Sequence, residues 1–354
     1  MGNNRVYWAT KRAGIAPLGS ASYTTIRGLQ NIPVTTTFDL RQAFEVGQLA
    51  VYENIEGIPD VEVSMEKVLD GSAPIYTLMT QQGASATLAG RSTARASIGM
   101  AIYSDMANSA TGNAGSALEL SGMYVSAVGY QVSLNDSARE TVSAVGNNKV
   151  WKLGSAITFA DDPFDSNDDA PYAISGSGGV QQREDVLFGA GNTLLPTEIP
   201  GISSAGTNVA GANGYACHVQ GISINANLGR DDLFELGSKS SYFRYVRFPV
   251  QVTTAITITS SSGDMISATE NGLYSEGGSC GRYNLTNQTI ELKMCEGLIV
   301  NCGTKNKLQS INSTGGDAGG GNEEITYNYQ NSNDFTVYHP RDPSYSLTDF
   351  HPAA

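Results

Sequence analysis

Apolar and polar residues alternate over many short stretches of the chain. Val61, Val63 and Met65 alternate with Asp60, Glu62, Ser64 and Glu66, which predicts a half-buried strand with one acidic face. Ala94, Ala96, Ile98, Met100 and Ile102 keep the same period, and "MYVSAVGYQVSL" from Met123 to Leu134 is rich in β-branched and aromatic residues. In the second half Val250, Val252, Ile256 and Ile258 fall on one side of "PVQVTTAITIT", and "TIELKM", "LIVNCG" and "FTVYHP" follow as further strands. Helical periodicity is confined to two short pieces. "DLRQAFEVG" offers Asp39 as N-cap, Leu40, Ala43 and Phe44 on one face, and Gly47 as a helix-terminating residue. "GRDDLFELG" repeats that logic with Leu233, Phe234, Leu236 and Gly237. The pattern predicts a mainly β fold with short flanking helices.

The two pieces belong to a longer repeat. Phe44 and Phe234, Tyr52 and Tyr242, and Pro59 and Pro249 each stand 190 residues apart, as do Gln30 and Gln220 upstream. Residues 28–60 align with 218–250 without a gap, and "VEV" then falls over "VQV" if the second copy drops one residue. At 354 residues the chain also exceeds the ~250–300 at which a single core stops growing. The expected organisation is an N-terminal arm (1–27), a first β-sandwich or barrel-like unit (28–159), a Gly/Ser/Asp-rich loop insertion (160–217), and a second unit (218–354). The second unit carries a Gly-rich loop at 312–324 and a C-terminal tail. Phe44 and Phe234 read most simply as core anchors of the short helices. The alternative for them, and for Tyr52, Tyr242, Pro59 and Pro249, is contact between subunits.

Composition narrows the function. The formal net charge is −13, with acidic residues spread through the chain, which disfavours direct nucleic-acid affinity. No basic region precedes an apolar run at the N terminus and no stretch approaches the ~18 apolar residues of a membrane span, so synthesis and folding in a cytoplasm are expected. Cys217, Cys280, Cys295 and Cys302 lack zinc spacing, and a pairing of Cys295 with Cys302 across a turn stays open. Three scattered histidines suggest neither triad nor metal site, "GGDAGGG" lacks the Gly-Lys-Ser/Thr of a phosphate loop, and "DDPFDSNDD" misses calcium-loop spacing. Glu62 and Glu66 share one strand, unlike the opposed carboxylates of a glycosidase. The sequence thus offers no catalytic residue, no metal site and no cofactor, and the chain is not expected to be an enzyme.

The block "GLQNIPVTTTFDLRQAFEVGQLAVYENIEGIPDVEVSMEKVLDG", followed by "IYTLMT", resembles the opening of a tail tube (major tail) protein of long-tailed bacteriophages. "GISINANLGRDDLFELG", "YFRYVRFPVQV" and "GTKNKLQS" carry the resemblance into the second half. It implies a structural protein of the virion tail, made in the bacterial host cytoplasm. Six β units would close into a ring whose inner strands form one barrel, and stacked rings would conduct the DNA genome during ejection. Where two units are fused in one chain, three chains complete the ring; otherwise six do. The implied partners are further copies of the chain, tail tip or baseplate, terminator and, in a contractile tail, sheath proteins. Double-stranded DNA would pass without specific binding, and no membrane is involved. Asp60, Glu62 and Glu66 are candidates for an acidic lumen wall that repels phosphate, the exterior of the tube being the alternative. Gln251, Thr253 and Thr257 hold the matching, uncharged face. A carbohydrate-binding or adhesive β-sandwich of a tail tip or cell surface is the competing expectation, kept open by 17 tyrosines.

Overall fold

Strands make up nearly all the regular structure, as the alternation requires. The computed structural model describes residues 5–104, 110, 112–160, 179–188, 193–202, 218–238, 240–259, 285–315 and 321–342. Much of the 160–217 insertion, the middle of the Gly-rich loop, the tail from residue 343, Cys217 and Cys280 lie outside the described residues.

The chain begins with β1 (Lys11–Pro17), β2 (Ser22–Thr25), β3 (Leu29–Asn31) and β4 (Val34–Thr37). A projecting hairpin, β5 (Leu40–Phe44) with β6 (Val51–Glu56), leads into β7 (Asp60–Val68). Two helical turns, α1 (Ile75–Met79) and α2 (Leu88–Arg91), precede β8 (Ala96–Ile102), β9 (Ser116–Ser133), β10 (Asp136–Gly146), β11 (Asn148–Leu153) and β12 (Thr158–Phe159). The second half runs through β13 (His218–Asn227), a hairpin of β14 (Arg230–Leu233) and β15 (Phe243–Val246), and β16 (Gln251–Thr259). It ends with β17 (Glu291–Lys293), β18 (Ile299–Asn301), β19 (Lys307–Thr314), β20 (Glu324–Ser332) and β21 (Thr336–Tyr338).

One antiparallel sheet runs through both halves in the order β3/β4, β7, β10, β9, β13, β16, β20, β19. The 18-residue β9 holds it together, because its first half also pairs with β8 and β11 while its second half lies between β10 and β13. From β8 the chain's N-terminal strands β1 and β2, expected as an arm, continue that side sheet. One face of the main sheet is buried. Val61, Val63, Met65, Val142, Ile224 and Ile256 share an apolar cluster with Ile75 and Leu78 of α1 and with Leu292, Val300 and Val337 of the small sheet β17–β18–β21. Burying such residues against water is the main force holding the layers.

The main sheet reads as two four-stranded units with the same internal order. In the first, β3/β4, β7, β10 and β9 lie side by side; in the second, β13, β16, β20 and β19 do. The irregularities recur as well. Gln30 bulges between Leu29 and Asn31 opposite Lys67 and Glu66, and Gln220 bulges between Val219 and Gly221 opposite Ile258 and Thr257. Each of these glutamines donates from Nε2 to the carbonyl two residues back, Gly28 at 3.2 Å and His218 at 3.1 Å. A second bulge sits at Ser126 in the β9–β10 pair and at Gln309 in the β19–β20 pair.

The pairing corrects the alignment beyond the prolines. Val34 lies opposite Val63, and Ile224 opposite Thr254, so the matching strands Asp60–Val68 and Gln251–Thr259 are 191 apart at both ends. The second copy therefore carries one more residue at this point, where one fewer was expected. It is visible in the chain: Pro59 immediately precedes β7, whereas Pro249, after a cis peptide bond, stands two residues before β16.

The expected short helices at Asp39–Gly47 and Arg230–Gly237 are β-hairpins. Both have the same register, Gln42 opposite Asn54 and Asp232 opposite Arg244. Both close through the same four-residue turn, with Gln48 N donating to Glu45 O and Ser238 N to Glu235 O at 3.4 Å each. Gly47 (φ +106°) and Gly237 (φ +90°) occupy the third turn position, where a left-handed residue is required. They do not terminate helices. Phe44 and Phe234 are likewise not core anchors, since each is 66% exposed at its hairpin tip.

Candidate functional site: two open sheet edges and two apolar hairpins

Within the chain, the two units meet where β9 pairs with β13. Ile224 lies opposite Tyr130 and Ala226 opposite Val128; Leu228 N donates to Ser126 O at 2.9 Å. The outer edges of the units, β3/β4 at one end and β19 at the other, have no further strand among the described residues. They are the counterparts of the two strands that meet at the junction. Pro33 O accepts from Ser64 N at 3.2 Å and so points at β7, which turns the backbone groups of Ile32 and Val34 outward, toward the open side. The missing N–H of Pro33 thus costs a bond within the unit and leaves the open edge intact.

Burial differs between the two positions in the way an absent neighbour requires. Leu228 is 2% exposed under the junction, and its counterpart Phe38 is 65% exposed. Ile224 is buried and Val34 only half-buried. Beside β3 lies a groove of about 910 Å³ lined by Leu29, Gln30, Asn31 and Ile32 and walled by Lys11, Arg12 and Arg27. The matching residues Val219, Gln220, Gly221 and Ile222 line a pocket of only about 50 Å³, because Val132, Ser133 and Leu134 of the first unit occupy that side.

The hairpins differ likewise. The base of the second hairpin sits against the first unit: Arg230 donates to Val125 O at 2.7 Å and Ser92 O at 2.6 Å, and Phe243 meets Tyr124 edge to face at 5.7 Å between centroids. Burial pulls the Arg230 guanidinium down to about 10. Arg244 pairs with Asp232 at 2.8 Å and with Asp60, and donates to Asn147 Oδ1 at 3.1 Å. Burial raises the Asp232 carboxyl above its ordinary range despite Arg244. The first hairpin is far more open, with every residue of β6 exposed, including Tyr52. At the tips Phe44, Val46, Leu49, Phe234, Leu236 and Tyr242 are all exposed.

Asp60, Glu62 and Glu66 lie on the face of β7 opposite the buried Val61, Val63 and Met65. Two of the three are partly neutralised, Glu66 by Arg139 and Asp60 by Arg244. Across the sheet the same face is built mainly of Ser, Thr, Asn and Gln, among them Ser143, Gln131, Asn225, Thr253, Thr326 and Gln330, so it is polar and weakly charged. Cys295 and Cys302 are not joined in a disulfide. Among the described residues no cluster of His, Cys, Asp or Glu is placed to hold a metal ion, and no helix is long and apolar enough to cross a membrane. The chain matches no model of a known protein family and no curated protein.

Sequence reasoning found the repeat but not its most informative positions. Gln30 and Gln220 were visible as identities; nothing in their spacing announced a bulge. Phe38 and Leu228 stand 190 residues apart as apolar counterparts, and the contrast in their burial depends on which unit has a neighbour.

Proposed function

We propose that this chain is a structural subunit of a phage tail tube, assembling edge to edge into rings of three chains that stack around a channel for DNA. One observation supports this reading above the rest: the chain contains one complete unit-to-unit junction and presents both halves of a second. Unpaired edges of such length invite pairing, and joining β19 of each copy to β3/β4 of the next would remove them. If each junction turns the sheet by about a sixth of a circle without rise, repetition closes a ring of six units, which needs three chains. The polar, weakly acidic face carrying Glu62, Thr253 and Asn328 suits a lumen through which a duplex slides without sticking. The hairpin tips, exposed and apolar, suit contacts to neighbouring rings or chains.

Electron microscopy of the purified full chain at high concentration, with mass per ring measured, tests the proposal. Rings of three chains with a near-sixfold outline are expected. Six chains per ring would keep the tube and remove the fused-unit account. Monomers that persist at high concentration and bind a glycan saturably would overturn it in favour of an adhesive β-sandwich.

A further inference from the structure

Aligning the two units by their bulges superposes the paired strands of the internal junction on the strands of the open edges. Tyr124 stands two residues before the bulge at Ser126, opposite Val145; Lys307 stands two before the bulge at Gln309, opposite Gln330. Phe243 corresponds to Glu53 through the shared hairpin register. The aromatic pair Phe243–Tyr124, which anchors the second hairpin on the first unit, therefore becomes Glu53 with Lys307, two opposite charges, at the open edges. The ionic network changes in the reverse sense. Arg244, Asp232 and Asp60 correspond to Asn54, Gln42 and Gln251, so every charge there is replaced by a neutral amide.

Resting on the tube reading, we infer that a second copy of this chain docks on the β3/β4 edge in the register of the internal junction, with Glu53 of one copy paired to Lys307 of the next. Val34 lies opposite Ser313, Thr36 opposite Ile311, and Phe38 N donates to Gln309 O, the counterparts of Ile224–Tyr130, Ala226–Val128 and Leu228–Ser126. Phe38 is covered as Leu228 is. The swapped chemistry also gives the two kinds of junction different partners. A foreign edge cannot displace the internal one without leaving Arg244 or its carboxylates unpaired, and exclusion by unpaired charge is an efficient source of specificity.

Charge reversal on the full chain tests this. Glu53→Lys and Lys307→Glu should each raise the concentration needed for assembly by at least about tenfold, the scale of like-charge juxtaposition across an interface, and the double variant should restore it. A second test does not rely on Lys307, which also donates to Leu285 O within its own unit. Thr35 and Asn312, both exposed, fall directly opposite each other in the inferred register, and Thr35→Cys with Asn312→Cys should oxidise to covalent dimers and trimers of chains. Normal assembly by either charge variant, no recovery in the double variant, or absence of cross-links in assembled material would overturn the inference. Tubes that form with the register disproved would leave the tube proposal standing. Cross-linked trimers that never stack into tubes would sustain the junction and remove the tube.

Discussion

The first strands of the two units, β3/β4 and β13, start from nearly the same pattern and meet different surroundings. Both bulge at a glutamine, both feed a hairpin closed by a left-handed glycine, and both return as a nine-residue strand. Yet Leu228 is buried and Phe38 exposed, and the groove beside Gln30 is wide where that beside Gln220 is nearly filled. The difference lies in position and not in local sequence: one strand has β9 paired beside it, and the other has no outer strand among the described residues. An open edge beside a closed version of itself shows what a partner strand there would cover, a comparison that a single unit could not offer.

The cores beneath the sheets diverge too, and here the largest effects are expected. Lys67 lies opposite Glu140 in the first unit; at the same place in the second, Ile258 lies opposite Ile325. Lys67 is fully buried, donating to Ser72 Oγ at 2.6 Å, and Glu140 accepts from Ile75 N and Tyr76 N at the start of α1 and from Tyr130 Oη. Lys67→Met should cost about 3–5 kcal/mol in denaturant unfolding, because it removes the cation paired with Asp70 at 3.3 Å and facing the buried Glu140 across the strands. Ile258→Met, the same position in the other unit, should cost less than about 1.5 kcal/mol. Equal costs would mean that the charges are not what distinguishes the two cores.

This polar core also reaches Glu296, which accepts from Gly71 N at 2.5 Å and whose carboxyl is pushed up to about 7, chiefly by burial. The folded chain holds that proton more tightly than the unfolded one, where the group titrates near 4.5. Its stabilising contribution is therefore full below about pH 4.5 and is lost as pH rises through about 7, on the order of 3 kcal/mol in all. Buried His339, lowered to about 3 by burial, acts oppositely: its contribution is lost as pH falls from 6.5 towards 3. Because both proteins keep His339, the difference between wild-type and Glu296→Gln stability curves isolates Glu296. That difference should shift in favour of the variant as pH rises from 4.5 to 7, and a flat difference would show that Glu296 ionises as an ordinary carboxyl.

How much of this could be read in advance follows from where burial enforces a pattern. Val61, Val63 and Met65 alternate because one face of β7 is core, and strands of that kind were legible throughout. "DLRQAFEVG" misled because neither face of its hairpin is buried, so Leu40, Ala43 and Phe44 fell by chance on a helical spacing. Gly47 is left-handed, as a helix-terminating glycine would be, but it closes a hairpin, because a tight turn and a helix end demand the same residue. Offsets of 189 and 191 keep the same alternation of buried and exposed positions, and only the hydrogen-bonded register separates them. The charge swap from Phe243–Tyr124 to Glu53–Lys307 was out of reach for the same reason.

A smaller effect separates the closed junction from the open edge directly. Leu228→Ala should cost about 2–3 kcal/mol in monomer stability, since it empties a filled site under β9. Phe38→Ala, at the matching place, should change monomer stability by less than about 0.5 kcal/mol, as surface changes do, and should show its effect only in the concentration needed for assembly. A monomer destabilised equally by both would mean that the first edge is already covered by its own chain.

The smallest expected effect concerns the bulges, where the two units are most alike. Gln30→Ala and Gln220→Ala each remove one side-chain bond to a backbone carbonyl, worth about 0.5–1.5 kcal/mol. The two losses should agree closely in the monomer, because each bond is local to its own strand. They should part company in assembly: Gln220 lies at a junction already made within the chain, where Leu134 N donates to its carbonyl at 3.1 Å, while Gln30 bulges in a strand at the open edge. Only Gln30→Ala should then weaken association between chains, as measured by sedimentation across a concentration series. If Gln220→Ala weakened it as much, the bulge would be shaping the whole sheet and not the edge beside it.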